Sequence, residues 1–156
     1  MNVETINRQP IPLRIDRLQR LAERFAEWLE DRSGPDRWSE VALLLVDDAG
    51  IAEYNRDYFG KDRPTDVISF RYDPVPGEEP AFSGDLIVNV ERALRTGPEH
   101  DGPDRELALY VAHGFDHLSG AEDDTPERRA AMLERETGWL RRAEAEKLLS
   151  PGALFG

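Results

Sequence analysis

At 156 residues, the chain has the length of one ordinary domain, and its 39% of hydrophobic residues can form one hydrophobic core. The absence of cysteine excludes disulfides, thiolate catalysis and cysteine-based zinc sites, so any metal must be bound by His, Asp or Glu. A formal net charge of −12 argues against a protein that coats nucleic acid electrostatically, because phosphate neutralisation needs clustered Lys and Arg. The charge is uneven, however, and residues 51–72 carry as many basic as acidic groups.

No segment has the length of a membrane-spanning helix. The longest relevant apolar run, Val41 to Val46, has the length of a strand, whereas a membrane span needs roughly 18 or more apolar residues. Residues Met1 to Pro10 are polar and lack the basic-then-apolar pattern of a secretory signal. We therefore expect a cytoplasmic protein with no membrane partner.

The first half of the chain predicts two helices and two strands. Apolar residues recur at three- and four-residue steps from about Leu13 to Arg32, which predicts an amphipathic helix. The continuous apolar run Val41 to Val46 is typical of a strand that is covered on both faces. A short helix is predicted between the capping residue Asp47 and Gly60, followed by a strand from Val67 to Tyr72.

The second half predicts one more strand and two long helices. A strand from Gly84 to Val90 precedes a helical turn from Glu91 to Thr96. Pro103 suits the first position of a helix that runs to Leu118, and Thr125 suits the N-cap of a last long helix. This order predicts an α+β fold.

We expect residues 1–156 to form one domain, a layer sandwich in which a small mixed sheet of three to four strands packs with about five helices. Residues 150–156 are expected to be a flexible tail.

Two histidines four residues apart predict a metal site. His113 and His117 lie on the helix that begins at Pro103, so their side chains project from one face about one turn apart. Gly120 follows this helix and can adopt the left-handed conformation that turns the chain back toward the histidines. Asp123 can then act as a third ligand, which leaves one position for water, as in catalytic zinc sites. The alternative is an accidental pair of surface histidines.

Three stretches of the chain, in the same order, resemble the YbeY family of endoribonucleases. Asn55 with the segment Lys61 to Phe70 is similar to the family's Pro-Thr-Asp-Val-Leu-Ser-Phe segment, and Gly84 to Ile87 resembles its Gly-Asp-Ile/Leu strand. The third stretch, His113-Gly114-x-x-His117-Leu118-x-Gly120, resembles the family signature His-Gly-x-Leu-His-Leu-x-Gly-Tyr-Asp-His. The similarity covers roughly Val41 to Glu136.

This resemblance implies a zinc-dependent endoribonuclease that processes ribosomal RNA precursors, with RNA and the ribosome or a ribosomal protein as partners. In that reading, water or hydroxide on the metal promotes phosphodiester cleavage. The family's third histidine aligns with Asp123, so His113, His117 and Asp123 are expected to bind one zinc ion and to be catalytic. A carboxylate ligand also suits manganese or iron.

The chain departs from the family pattern at two other positions. Asp116 occupies the position of a leucine, and it could orient an imidazole or accept a proton from bound water, or it could be a solvated helix residue. Phe59 occupies the position of a common arginine. Arg56, Lys61 and Arg63 are therefore the expected phosphate-binding residues, although an exposed, charge-balanced turn is an equal alternative for the last two.

Three other functions share parts of the pattern. A zinc metallopeptidase also has His-x-x-x-His on a helix, but it needs a glutamate directly after the first histidine, where this chain has Gly114. An iron oxygenase with two histidines and one carboxylate has the same ligand set, but the matched motifs argue against it. In a ribosome-associated binding module, the metal would only join the helix to the following loop.

Overall fold

The computed structural model of the protein describes residues 1–156, in which four strands form one mixed sheet. The strands are β1 (Asn2–Asn7), β2 (Trp38–Val46), β3 (Val67–Tyr72) and β4 (Phe82–Asn89), and their order in the sheet is β1-β2-β4-β3. β1, β2 and β4 are parallel, whereas β3 pairs antiparallel with β4 and forms an edge of the sheet. The α+β class and the mixed sheet predicted from the sequence are confirmed.

Five α-helices surround this sheet: α1 (Ile15–Ser33), α2 (Asp48–Phe59), α3 (Val90–Thr96), α4 (Pro103–Leu118) and α5 (Pro126–Ala145). The predicted bounds of α4 are confirmed, and Thr125 caps α5 by accepting a hydrogen bond from the Arg128 amide at 3.1 Å. α2 ends at Gly60, whose φ of 68° is left-handed. None of the helices combines the length and apolar character needed to cross a membrane.

The two faces of the sheet contact different helices, because successive residues of a strand point to opposite faces. Leu43, Leu45 and Leu86 belong to the larger core cluster, which also contains the apolar residues of α1, α4 and α5. Leu44 and Ile87 belong to a smaller cluster, in which Ile51 of α2 takes part. The continuous apolar run of β2 therefore reflects burial on both sides, as predicted.

The N-terminal strand was not predicted from the sequence. β1 has the sequence Asn-Val-Glu-Thr-Ile-Asn, in which only Val3 is buried. Its place in the sheet comes from parallel pairing with β2, for example Val3 opposite Val41. A polar edge strand of this kind has too little hydrophobic pattern to be recognised locally.

The expectation of a flexible tail at residues 150–156 differs from the structure, in which this segment is docked. Leu154 is fully buried, and Phe155 forms a bridge with Leu13. The buried carboxylate of Asp104, at the start of α4, accepts hydrogen bonds from the Gly152, Leu154 and Phe155 amides at 2.8 to 2.9 Å. The docking depends on this carboxylate, about fifty residues earlier in the chain, and is therefore not visible in the local sequence.

Candidate metal centre and its cavity

The histidine-bearing helix α4 approaches the sheet closely at Gly114. A Cβ atom at this position would lie 2.9 Å from Leu86 Cδ2 and 3.2 Å from Val67 Cγ2. The Gly114 carbonyl also accepts a hydrogen bond from Ser69 of β3 at 3.3 Å. The residue after His113 therefore faces the packed sheet, where there is no room for the glutamate of a metallopeptidase.

The three predicted ligands converge. The Nε2 atoms of His113 and His117 are 3.0 Å apart, and His117 Nε2 lies 3.7 Å from Asp123 Oδ2. One ligand atom from each residue lies within 4.8 Å of the others. Two ligands bound at about 2.1 Å to a tetrahedral zinc ion are separated by roughly 3.4 Å, so this donor set fits such an ion. Gly120, with φ of 96°, makes the turn that returns the chain to the histidines.

The second nitrogen of each imidazole has a fixed partner. His113 Nδ1 lies 2.8 Å from Glu136 Oε1 of α5, and His117 Nδ1 lies 3.1 Å from the Ala121 carbonyl. A carbonyl or a carboxylate accepts a hydrogen bond, so both Nδ1 atoms donate and both Nε2 lone pairs face the common point. Orientation by such partners is typical of metal-ligating histidines.

Burial and neighbouring charges affect the two histidines differently. Burial is the largest single effect on His113 and acts to lower its pKa, but the hydrogen bond that the Glu136 carboxylate accepts, together with the negative charges of Glu136, Asp66 and Asp123, outweighs burial, and the pKa is raised. Burial and then repulsion from His113 lower the pKa of His117. Burial also raises the pKa of Glu136, which is only 2% exposed. A histidine with a lowered pKa is neutral near pH 7, the form in which it binds a metal.

Asp116 lies away from the converging ligands. Its side chain is completely buried, and its two carboxylate oxygens accept hydrogen bonds from Arg135 Nε and Nη2 at 2.7 and 3.1 Å. The alternative of a solvated helix residue is therefore wrong. Asp116 forms no hydrogen bond with either imidazole, and Glu136 has the orienting position that the sequence analysis considered for it.

A cavity of about 840 Å³ opens beside the histidines, between edge strand β3 and the loop after α4. Lys61 and Arg63 line it, as do Arg71 of β3 and Arg92 of α3. Arg56, the third predicted phosphate-binding residue, does not line the cavity; it is exposed on α2 and pairs with Asp57 at 3.3 Å. The structure therefore brings Arg71 and Arg92 to the cavity, in addition to Lys61 and Arg63, and leaves Arg56 outside it.

Two buried asparagines hold the turn that carries Lys61 and Arg63. Asn55 Nδ2 donates to the Arg63 carbonyl at 2.9 Å, and Asn89 Nδ2 donates to the Thr65 carbonyl at 3.0 Å. The Asp66 carboxylate accepts from the Val67 amide at 2.7 Å. The turn between α2 and β3 is thus built from specific hydrogen bonds and presents its cations at a fixed place.

Three residues of this region were not predicted from the sequence: Glu136, Arg71 and Arg92. A signal for Glu136 was present, because it falls on the face of α5 that contains Met132, Leu140 and Ala143. An acid in a buried apolar row needs a polar partner. No comparable signal identifies the two arginines, whose positions depend on the packing of α3 and β3.

In comparisons with known proteins, the chain matches one family. A family model described as Endoribonuclease YbeY matches residues 3–144. An Endoribonuclease YbeY of Moorella thermoacetica is 43% identical over 111 residues, covering 65% of this chain and 71% of that protein. One of Exiguobacterium sp. is 34% identical over 137 residues, covering 81% and 87%. A solution structure of a Thermotoga maritima protein shares the fold, with a TM-score of 0.61, 23% identity and coverage of 92% and 90%.

Proposed function

The chain belongs to the YbeY endoribonuclease family, and on that basis we propose that it is a metal-dependent endoribonuclease that processes ribosomal RNA precursors in the cytoplasm. The observation that carries this proposal is the convergence of three ligand atoms within 4.8 Å at the wall of a cavity that also presents four cationic side chains.

We assign the metal to His113, His117 and Asp123, and zinc is the preferred ion. Two imidazoles and one carboxylate with a fourth position for water form the ligand set of many catalytic zinc sites. The carboxylate also suits manganese or iron, so the loaded metal has to be measured. When bound, such an ion supplies a Lewis acid that polarises a phosphate oxygen and makes water a stronger nucleophile near neutral pH.

The side chains of the protein have separate tasks in this proposal. Glu136 and the Ala121 carbonyl hold the two imidazoles in the tautomer that directs Nε2 into the cavity. Lys61, Arg63 and Arg92 bind the phosphates of the substrate, together with Arg71, whose guanidinium lies over the Phe82 ring at 4.2 Å. None of these four cations forms an ion pair within the protein, so their charge is available to an anionic ligand.

The acidic surface supports a role for the ribosome as a partner. The net charge of −12 opposes general binding to RNA, and the four cations of the cavity offer a local attraction. A docking site on the ribosome or a ribosomal protein would bring the enzyme to its substrate despite this repulsion.

Elemental analysis and an RNA cleavage assay on the same preparation test the proposal. The wild type is expected to hold one metal ion per chain and to cleave an RNA substrate in a reaction that a chelator stops. His113→Ala should lose both the metal and the cleavage while keeping its circular dichroism spectrum. His100→Ala is the matched control, because His100 is the remaining histidine and pairs with Glu106 outside the metal centre.

Cleavage that is unchanged by His113→Ala would refute the catalytic assignment. Loss of folding together with loss of metal, in a protein whose wild type does not cleave RNA, would favour the binding module with a structural metal.

A further inference from the structure

One exposed aromatic ring shares the cavity with the candidate metal ligands. Phe59, the last residue of α2, is 53% exposed and lines the same cavity as His113 and His117. Six large hydrophobic side chains are exposed in the protein, and Phe59 is the only one of them on this cavity. A ligand with a flat apolar face would bury the exposed half of this ring.

The ring of Phe59 is held in place by its neighbours. It lies parallel to the ring of Phe70, with an interplanar angle of 4° and a centroid separation of 6.1 Å. Phe70 packs against the smaller core cluster and also contacts the Tyr58 ring at 4.9 Å. The helix that carries Phe59 ends at Gly60, whose amide donates to the Arg56 and Asn55 carbonyls. A ring supported in this way is a preformed flat surface.

The charge around Phe59 identifies the class of ligand. Lys61 and Arg63 follow in the adjacent turn, and Arg71 lines the cavity from the strand that also carries Phe70. An apolar peptide would gain nothing from these cations, whereas a nucleotide offers a phosphate to the cations and a flat base to the ring. Single-stranded nucleic acid is commonly bound by this combination of aromatic rings and basic groups.

We propose that Phe59 is a stacking platform for one unpaired base of a single-stranded RNA segment, next to the phosphodiester that reaches the metal centre. This inference rests on the proposed nuclease function and assigns to Phe59 the contact with the base beside the cleaved phosphodiester. A base within a duplex is stacked on its neighbours and is not available to the ring.

Direct binding measurements test the platform. The probe is a short fluorescein-labelled oligoadenylate with 2′-O-methyl groups, which block attack by the ribose hydroxyl, and the readout is fluorescence anisotropy in the presence of a chelator, which prevents cleavage by metal-activated water. Phe59→Leu keeps an apolar side chain without a π-face and should raise the Kd about 5- to 100-fold. Phe59→Trp should keep or improve the affinity, and Tyr72→Leu, which removes a similarly exposed ring outside the cavity, should leave it unchanged.

A second probe locates the effect at one base. Replacing single nucleotides of the oligoadenylate by abasic residues should weaken binding to the wild type at one position and have no effect on Phe59→Leu there. Equal affinities of the wild type and Phe59→Leu would overturn the proposal. So would equal losses in Phe59→Leu and Phe59→Trp, or a wild-type dimer that Phe59→Leu converts to a monomer.

The outcome is separable from that of the nuclease proposal. His113→Ala should abolish cleavage but retain the dependence of oligonucleotide binding on residue 59. If His113→Ala still cleaves RNA, the assignment of the metal centre as catalytic fails. The Kd values of the residue-59 variants, relative to the wild type, still test whether Phe59 binds a base. If Phe59→Leu cleaves single-stranded RNA with the wild-type KM, the platform fails while the nuclease assignment stands.

Discussion

Glu136 lies in the middle of α5, is 2% exposed, and contacts His113 Nδ1 with both carboxylate oxygens at 2.8 and 3.1 Å. The buried carboxylate of Asp116 raises the pKa of Glu136 further, beyond the effect of burial. A charged group in such a position is costly unless it has a hydrogen-bonded partner. The His113 imidazole is that partner, so the two side chains depend on each other.

Glu136→Gln is therefore expected to weaken metal binding without removing a ligand. The amide can still accept one hydrogen bond from His113, but it lacks the negative charge that makes the imidazole a better donor to the metal. We expect the zinc affinity to fall by about 10- to 100-fold, measured by competition with a chelating dye. Glu134→Gln, at an exposed position on the same helix, is the control. An unchanged zinc affinity in Glu136→Gln would show that the Glu136 charge does not affect how strongly His113 binds the metal.

At the scale of elements, α4 can carry the two histidines to the edge of the sheet because Gly114 lets it approach β3 and β4. Gly114→Ala places a methyl group 2.9 Å from Leu86 Cδ2, so the helix or the leucine must move. We expect a loss of about 1 to 3 kcal/mol in the free energy of unfolding, measured by urea denaturation. Gly138→Ala on α5 has nothing within 4 Å of the new atom and should be neutral or stabilising. Equal stability of Gly114→Ala and the wild type would contradict the close approach.

The start of α2 is joined to α3 by one carboxylate. Asp48 accepts hydrogen bonds from Arg95 Nη1 and from Asn89 Nδ2, both at 2.7 Å. The Arg95 hydrogen bond, opposed by partial burial, holds the pKa of Asp48 below its ordinary value. A carboxylate with a lowered folded-state pKa stabilises the protein above its unfolded pKa, and this contribution is lost as the pH falls through the folded-state pKa.

Asp48→Asn should reduce the free energy of unfolding at pH 7 by up to about 1 kcal/mol, because Arg95 is half exposed and solvent screens the pair. The difference between the variant and the wild type should shrink as the pH falls below about 4. Urea denaturation at several pH values measures both effects. Asp57→Asn removes a pair with Arg56 in which both side chains are more than half exposed, and it should change little at any pH. A difference that persists at pH 2 would show that Asp48 acts through packing rather than charge.

Sequence reasoning was most successful for elements with a strong hydrophobic period. α1, α4 and β3 were predicted with nearly their observed bounds, because each has an apolar face or an unambiguous cap or stop. It failed for β1 and for residues 150–156, whose places depend on pairing with distant parts of the chain. The spacing of His113, His117 and Asp123 was informative because all three lie on one helix and its following loop. Glu136, Arg71 and Arg92 come from other elements, so only the packed fold brings them to the cavity.

At the scale of the whole molecule, a strongly acidic protein presents a cavity with four unpaired cations. Attraction to a polyanion is then short-ranged, and repulsion from the remaining surface limits it. For single strands, the logarithm of the binding constant falls with the logarithm of salt concentration by about 0.7 per phosphate contact. Affinity for unstructured RNA should therefore be weak at physiological salt and should fall by a slope of about 3 if all four cations take part.

Arg71→Gln should lower this salt slope by about 0.7, measured by anisotropy over a range of KCl concentrations. Arg56→Gln is the matched control and should leave the slope unchanged, since Arg56 lies outside the cavity. Tight binding of the wild type to unstructured RNA at physiological salt would contradict the confined attraction. An equal change of slope in both variants would show that RNA phosphates contact Arg56, outside the cavity, as well as Arg71.

The docking of residues 150–156 has a consequence for how the chain is made. A nascent polypeptide can form α4 long before Gly152, Leu154 and Phe155 have left the ribosomal exit tunnel, and during that interval the Asp104 carboxylate lacks the three amides that neutralise its burial. The Arg14 amide, which donates to the Leu154 carbonyl at 2.7 Å, likewise lacks this partner until the same segment docks. Docking of this segment joins the beginning of α1 to residues synthesised some 140 positions later, and a translational arrest before residue 152 would leave both sites open to chaperones and proteases.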